Sequence, residues 1–192
     1  TEIEKLSKDE ASTSDKWIYA AIKIYFRELN FQEVDPSSVV MLVPSAEEKK
    51  STWNYTTDQP ADNWMKSEFD DSDWKNGTAK FGGDNMKQVN TPWSSSDIWM
   101  RQEVLVSEEI TEPVIKIAHD DDYEIYVNGQ LLISETGSSE AYKYIKLDSE
   151  KGGLFRKGKN LIAVHCVNTG GNQHIDMGIG KVGKIKADVT FV

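Results

Sequence analysis

The sequence predicts an all-β protein, an antiparallel β-sandwich of jelly-roll type preceded by a short N-terminal tail and helix. From residue 38 onward, short runs of alternating apolar and polar residues recur, as expected for half-buried strands. Turn sequences such as Asn128-Gly129 and Gly170-Gly171 separate these runs, and no strand–helix–strand rhythm interrupts them. We therefore assign residues 1–35 to the tail and helix, and residues 36–192 to the sandwich.

The N-terminal segment changes character at Lys16. Residues 1–15 are polar and fit a flexible lead-in. Lys16–Asn30 is predicted as a helix, with Ser14 or Asp15 available as its N-cap. The helical stripe comprises Ile18, Ile22, Tyr25 and Leu29. An alternation of Ile22, Ile24 and Phe26 with polar neighbours leaves a strand as the alternative.

Ten strands are predicted after this segment. They are Val39–Val43, Thr52–Thr56, Ile98–Val106, Val114–His119, Glu124–Val127, Leu131–Ser134, Tyr142–Leu147, Asn160–Val167, Ile175–Lys181 and Lys184–Val192. The region Gln59–Trp93 is rich in Asp, Asn, Gly, Pro and Trp and has little periodicity, so a long irregular connection is predicted there.

Composition narrows the range of partners. The 32 acidic residues outnumber the 22 basic ones, giving a formal charge of −10. Such a chain is a poor ligand for nucleic acid, because nonspecific binding depends on Lys and Arg neutralising phosphates. Anionic membrane surfaces are disfavoured for the same reason, and no apolar run is long enough to span a bilayer. A neutral ligand such as a sugar is compatible with this charge.

The run His119–Gly129, HDDDYEIYVNG, allows two interpretations. Asp120, Asp121 and Asp122 offer carboxylate oxygens suited to a structural Ca²⁺. Consecutive strand residues point to opposite faces, however, so the three converge only if the strand ends here. The favoured interpretation is a structural corner in which Asp121 or Asp122 bonds backbone groups. A hairpin follows, with Asn128-Gly129 as its type I′ turn.

Catalytic motifs are missing from the sequence. No G-x-S-x-G elbow is present, and the three histidines have no zinc-like spacing. Cys166, the single cysteine, lies in the apolar run Leu161–Val167 and is expected to be a buried, inert thiol. Its neighbour His165 cannot form a dyad with it, because adjacent strand residues point apart. No catalytic residue is therefore assigned, and a free-standing glycosidase or amidase is the least favoured function.

Several motifs in order are similar to those of a known family. They are Trp53-Asn54-Tyr55, Trp64, Phe69–Trp74 with Gly77 and Phe81-Gly82, Asp97–Arg101, His119–Gly129 and Gly158–His165. Over roughly Ser38–Lys181 they resemble the galactose-binding-domain-like jelly rolls attached to glycoside hydrolases and other exported enzymes of polysaccharide-degrading Gram-negative bacteria. A set that also includes Gly170-Gly171 and Ile175-Asp176 is similar to the version in glutaminase-like multidomain proteins.

The resemblance implies a non-catalytic accessory domain of an extracytoplasmic protein in the periplasm, at the cell surface or secreted. It implies no required cofactor, although a structural calcium is compatible with it. The expected partners are a neutral glycan and a neighbouring catalytic domain, and the alternative is a purely structural module that packs against that neighbour. Because sandwich domains bind ligands at loop ends, we predict a site at Trp93, Asn90, Asn172 and Gln173. The tryptophan would stack on sugar and the amides would bond hydroxyls, and packing in the core is an equal alternative for Trp93.

Overall fold

The computed structural model describes residues 34–84 and 86–183. These residues form two β-sheets packed face to face, so the predicted antiparallel β-sandwich is confirmed. The helix predicted over Lys16–Asn30 and the strand predicted over Lys184–Val192 lie outside the described residues. The predicted domain boundary at residue 36 therefore stays a prediction.

The described part of the chain contains twelve strands and two very short helical segments. The strands are β1 (Val39–Val43), β2 (Thr52–Thr56), β3 (Lys75–Thr78), β4 (Phe81–Gly82), β5 (Thr91–Pro92), β6 (Asp97–Val106), β7 (Pro113–Asp120), β8 (Asp122–Val127), β9 (Gln130–Glu135), β10 (Ser139–Lys146), β11 (Gly158–Val167) and β12 (His174–Val182). The helical segments are a 3₁₀ turn, Pro36–Ser38, and α1, Ser149–Gly152.

The nine predicted strands that fall on described residues are confirmed to within a few residues of their ends. Strands β3, β4 and β5 lie in the region predicted as one long irregular connection, and there the prediction was wrong. They are only two to four residues long. Strands this short are below the length at which alternation gives a signal.

The first sheet has the strand order β10-β7-β12-β4-β5, and β1 also pairs with β12. The second sheet has the order β3-β2-β6-β11-β8-β9. All pairings are antiparallel except the short contact between β4 and β5. The longest ladder joins β11 to β6 and runs without interruption from Gly158 opposite Val106 to Val167 opposite Asp97.

The main core fills the space between the two sheets. Ile115 and Ile117 of β7 and Ile175 of β12 are fully buried in it. Side chains alternate across a strand, so Lys116 and Asp176 point to the opposite, outer face of the first sheet. Both are nonetheless 1% exposed, which means that another part of the chain covers them.

A second apolar cluster lies on the outer face of the second sheet. It contains Trp64, Trp99 and Ala163, with the partly buried Phe69 and Trp74 packed against it. The rings of Phe69 and Trp74 meet edge to face with centroids 5.7 Å apart. This cluster holds the connection between β2 and β3 against the sheet, as expected for an aromatic anchor.

Candidate functional site

A polar cleft of about 480 Å³ lies beside strands β2, β3 and β6 on the outer side of the second sheet. Its lining residues are Thr52, Asn54, Ser67, Phe69, Asp71, Asn76, Arg101, Gln102, Glu103 and Leu161. The volume is within the usual range for small-ligand sites, about 300–1,000 Å³. We call this feature the polar cleft.

Arg101 builds one wall of the polar cleft. It is 4% exposed, and its Nε donates a 2.7 Å hydrogen bond to Asp71 Oδ2. The guanidinium also donates to the carbonyl oxygens of Trp64, Lys66 and Phe69. A planar guanidinium with five fixed donors suits such multiple bonding. Arg101 therefore fastens the connection between β2 and β3 to strand β6.

Two amides lie side by side on the strands that form the floor. Asn54 of β2 and Asn76 of β3 are directly opposite each other in the antiparallel register, which places their Cβ atoms about 5 Å apart. Neither side chain forms a hydrogen bond with any described residue. An amide offers both donors and acceptors, the combination that a sugar hydroxyl requires.

Gln102 also lines the cleft, and its amide is tied to strand β2. Its Nε2 donates to the carbonyl oxygen of Thr52 at 2.9 Å. Its Oε1 is buried and has no hydrogen-bond partner among the described residues. A buried acceptor without a partner is uncommon and costs free energy.

The predicted sugar-stacking residue Trp93 lies in the main core and is 2% exposed. Its indole Nε1 donates to Ser95 Oγ at 2.9 Å and to the carbonyl oxygen of Asp97 at 3.1 Å. An enclosed ring presents no face on which a sugar could stack. Of the two roles predicted for Trp93, its burial supports core packing and not ligand stacking.

The three predicted amides have separate environments. Gln173 is 7% exposed, and its Nε2 donates to the carbonyl oxygen of Trp93 at 2.7 Å. The structure thus brings Gln173 and Trp93 together, through a buried structural contact. Asn90 donates to the carbonyl oxygen of Ala79 at 2.7 Å and lines a different cavity. Asn172 is exposed in the loop between β11 and β12.

The aspartates of the HDDD run bond the loops around the corner. Asp121 Oδ2 accepts from the backbone N–H of Thr169 at 2.7 Å, and Asp122 Oδ1 accepts from that of Gly137 at 2.8 Å. The prediction that Asp121 or Asp122 bonds backbone groups is confirmed. No three His, Cys, Asp or Glu side chains among the described residues are grouped to hold a metal ion. Calcium binding at Asp120, Asp121 and Asp122 stays a prediction.

The histidines and the cysteine serve packing. His165 Nε2 lies 2.8 Å from Asp97 Oδ1, and its ring stacks on Trp99 at 4.6 Å between centroids. His119 and His174 are fully buried, and burial lowers the pKa of each ring. Burial likewise raises the pKa of the Cys166 thiol, so the thiolate needed for nucleophilic chemistry is disfavoured.

Sequence reasoning did not assign the polar cleft, although its residues belong to recognised motifs. Asn54 lies within Trp53-Asn54-Tyr55, and Arg101 ends the Asp97–Arg101 motif, and both motifs were used only for the family resemblance. A polar residue between two strand aromatics is a signal for an outward-facing amide. Nothing local indicates that β3 brings Asn76 opposite Asn54, because the two are 22 positions apart in a region without periodicity.

The sandwich is similar to part of several longer solved chains. For the β-glucuronidase of Bifidobacterium dentium, complexed with coumarin-3-O-glucuronide, the identity is 13% and the TM-score 0.51, covering 79% of this chain and 31% of that one. For Bacteroides uniformis β-glucuronidase the identity is 15% and the TM-score 0.49, and the match covers 68% of this chain and 18% of that one. For a glycosyl hydrolase family 2 member from Bacteroides cellulosilyticus the identity is 15% and the TM-score 0.48, and the match covers 68% of this chain and 20% of that one.

Identities this low show a shared fold alone. This chain spans less than a third of the length of each of these solved chains. No protein-family model matches the chain, and no curated protein matches it. Among the described residues, no helix has the length and apolar content that a membrane crossing requires.

Proposed function

We propose that the protein is a non-catalytic accessory domain of an exported, carbohydrate-active protein and that it binds neutral glycans in the polar cleft. The observation that carries this proposal is the pair of unpartnered amides, Asn54 and Asn76, facing the cleft beside the half-buried ring of Phe69. Sugar sites combine an apolar ring with convergent hydrogen-bonding groups.

The charges of the cleft support a neutral ligand. Its three charged side chains are Asp71, Arg101 and Glu103. Asp71 and Arg101 neutralise each other, and Glu103 pairs with Lys159 at 3.0 Å. A charged ligand would meet no unpaired counter-charge in the cleft, whereas a hydroxyl would meet free amide donors and acceptors.

The fold likeness supports the accessory role. The match covers 79% of this chain and 31% of the β-glucuronidase chain, so the sandwich corresponds to one segment of a longer protein. A domain of this kind contributes binding or packing beside a catalytic neighbour. The buried carboxylate with a raised pKa, Asp176, bonds Ala46 and Tyr142 inside the domain, so its geometry supports a structural role.

Calorimetry with neutral polysaccharides such as β-glucan, galactan and xylan tests the proposal on the 192-residue chain. We expect weak binding to one of these polymers. Asn54→Ala with Asn76→Ala should weaken it about tenfold or more, because two hydrogen bonds of about 1 kcal/mol each are lost. The control is Gln59→Ala, which changes an exposed amide that does not line the cleft and should leave the affinity unchanged.

Failure of the intact chain to bind any neutral glycan would overturn the binding role. In that case the domain would act only as a structural module packed against a catalytic neighbour. An equal loss of affinity in the Gln59→Ala control would show that the effect is not specific to the polar cleft.

A further inference from the structure

A second cavity, of about 350 Å³, lies on the outer side of the first sheet. Its lining residues are Ala46, Glu47, Lys50, Lys80, Gln88, Asn90 and Tyr142. We call it the lysine cavity. Its walls are formed by the connection between β1 and β2, by residues on either side of β4 and by strand β10.

The walls of the lysine cavity are held by a buried cation. Lys116 of β7 is 1% exposed, and its ammonium pairs with Glu47 and Glu48. It also lies 4.5 Å from the centroid of the Tyr142 ring. Glu48 in turn accepts hydrogen bonds from the backbone N–H and the hydroxyl of Ser45, at 2.9 and 2.7 Å. A buried charge is tolerated only when it is paired in this way.

A buried anion fastens the same walls from strand β12. Asp176 Oδ2 accepts from the backbone N–H of Ala46 at 2.9 Å and from the Tyr142 hydroxyl at 2.5 Å. Ala46, Glu47 and Tyr142 are therefore fixed by charged groups of the sheet before any ligand arrives. A preorganised wall lowers the entropic cost of binding.

The unpaired charges of the lysine cavity are positive. Lys50 is exposed and forms no hydrogen bond or ion pair with any described residue, and no ion pair is formed by Lys80 within the described ranges. The carboxylates of Glu47 and Glu48 share the single ammonium of Lys116. Lys80 does act electrostatically on the buried Asp176. In a chain with a formal charge of −10, two ammonium groups that form no ion pair at one cavity favour a small anionic ligand. Gln88 and Asn90 add amides that match hydroxyls.

We propose that the lysine cavity binds an acidic sugar, whose carboxylate or sulfate group lies against Lys50 and Lys80 while neighbouring hydroxyls bond Gln88 and Asn90. The inference goes beyond the neutral-glycan proposal and concerns the opposite sheet. The asymmetry between the two sites is one of charge. The polar cleft has paired charges and the lysine cavity has unpaired cations.

Calorimetry on the 192-residue chain separates the two sites. The ligands are a uronic-acid oligosaccharide, a sulfated oligosaccharide and a neutral oligosaccharide of equal length, with sodium acetate and sodium sulfate as simple anions. We expect one of the acidic sugars to bind more tightly than the neutral sugar and than either simple anion. Which acidic sugar binds identifies the charged group, and added salt should weaken the binding.

The decisive variant is Lys50→Gln, with Lys49→Gln as its matched control. Both lysines are exposed neighbours without ion pairs to the described residues, and only Lys50 lines the cavity. Lys50→Gln should weaken acidic-sugar binding about fivefold, the value of one exposed ion pair, and Lys49→Gln should not. The proposal would be overturned if the chain bound acidic and neutral sugars with equal affinity, or bound acidic sugar no more tightly than acetate. It would also be overturned if Lys50→Gln bound the acidic sugar as tightly as wild type does. Asn54→Ala with Asn76→Ala should leave this binding intact, so the two proposals fail separately.

Discussion

The hydroxyl of Tyr142 donates a 2.5 Å hydrogen bond to Asp176 Oδ2, a carboxylate that is 1% exposed on the outer face of the first sheet. Burial raises the pKa of Asp176, and the bonds from Tyr142 and Ala46 only partly offset this. The bond joins β10 to β12 across β7, which lies between them in the sheet. It therefore stabilises the sheet as well as the wall of the lysine cavity.

Tyr142→Phe tests this bond. The variant keeps the ring beside Lys116 and removes the hydroxyl donor of a buried acceptor, so the free energy of unfolding should fall by about 2 kcal/mol. Urea denaturation measures the change. Tyr144→Phe is the control, because the Tyr144 ring also lies near Lys116 and its hydroxyl forms no hydrogen bond with the described residues. Equal stabilities of the two variants would contradict the importance of the Tyr142–Asp176 bond.

Trp93→Ala should destabilise the domain by about 3–5 kcal/mol, because it empties a large volume in the main core. It also removes the indole donor to Ser95 and Asp97. Thermal unfolding followed by circular dichroism measures the loss. A variant that kept its stability and lost glycan binding would restore the predicted stacking role of Trp93.

The sequence predicted the sandwich because its strands carry their own local signal. Alternation along β7 places Lys116 and Ile117 on opposite sides of the sheet. The burial of Lys116 was beyond prediction, since it depends on Glu47 and Glu48, which lie almost 70 residues earlier. The polar cleft and the lysine cavity are likewise lined by residues that lie far apart in the sequence. The sequence left Trp93 open between stacking and packing, because an aromatic residue in an irregular segment shows no periodicity that distinguishes core from surface.

The turn between β8 and β9 provides a test of local conformation. Asn128 and Gly129 have φ values of 51° and 83°, so the predicted type I′ turn is confirmed. Gly129→Val should lower the melting temperature by several degrees, because a β-branched residue resists positive φ. Gly129→Asn is the matched control. It adds the same Cβ near Lys66, but asparagine tolerates this conformation and should retain most of the stability. Equal losses of stability in the two variants would show that crowding of the added Cβ against Lys66, and not the positive φ, is responsible.

Asp120, at the corner between β7 and β8, gives the stability a defined pH dependence. Burial raises its pKa to about 6, and the neighbouring carboxylates of Asp121 and Glu140 act in the same direction. The folded chain therefore holds this proton more tightly than the unfolded chain, in which the pKa is about 3.9. The resulting stabilisation is fully present below about pH 4 and is lost as the pH rises through 6.

Asp120→Asn removes this titration without removing the polar side chain. The difference in free energy of unfolding between variant and wild type should therefore shift in favour of the variant from pH 4 to pH 7, because only the wild type must ionise a buried carboxyl. Urea denaturation at pH 4, 5, 6 and 7 measures this difference. For Asp35→Asn, the stability difference between variant and wild type should change with pH in the opposite direction. Hydrogen bonds from Ser37 lower the pKa of Asp35, so that variant should lose stability relative to wild type as the pH rises. A difference for Asp120→Asn that stays constant across these pH values would show that its pKa is not raised.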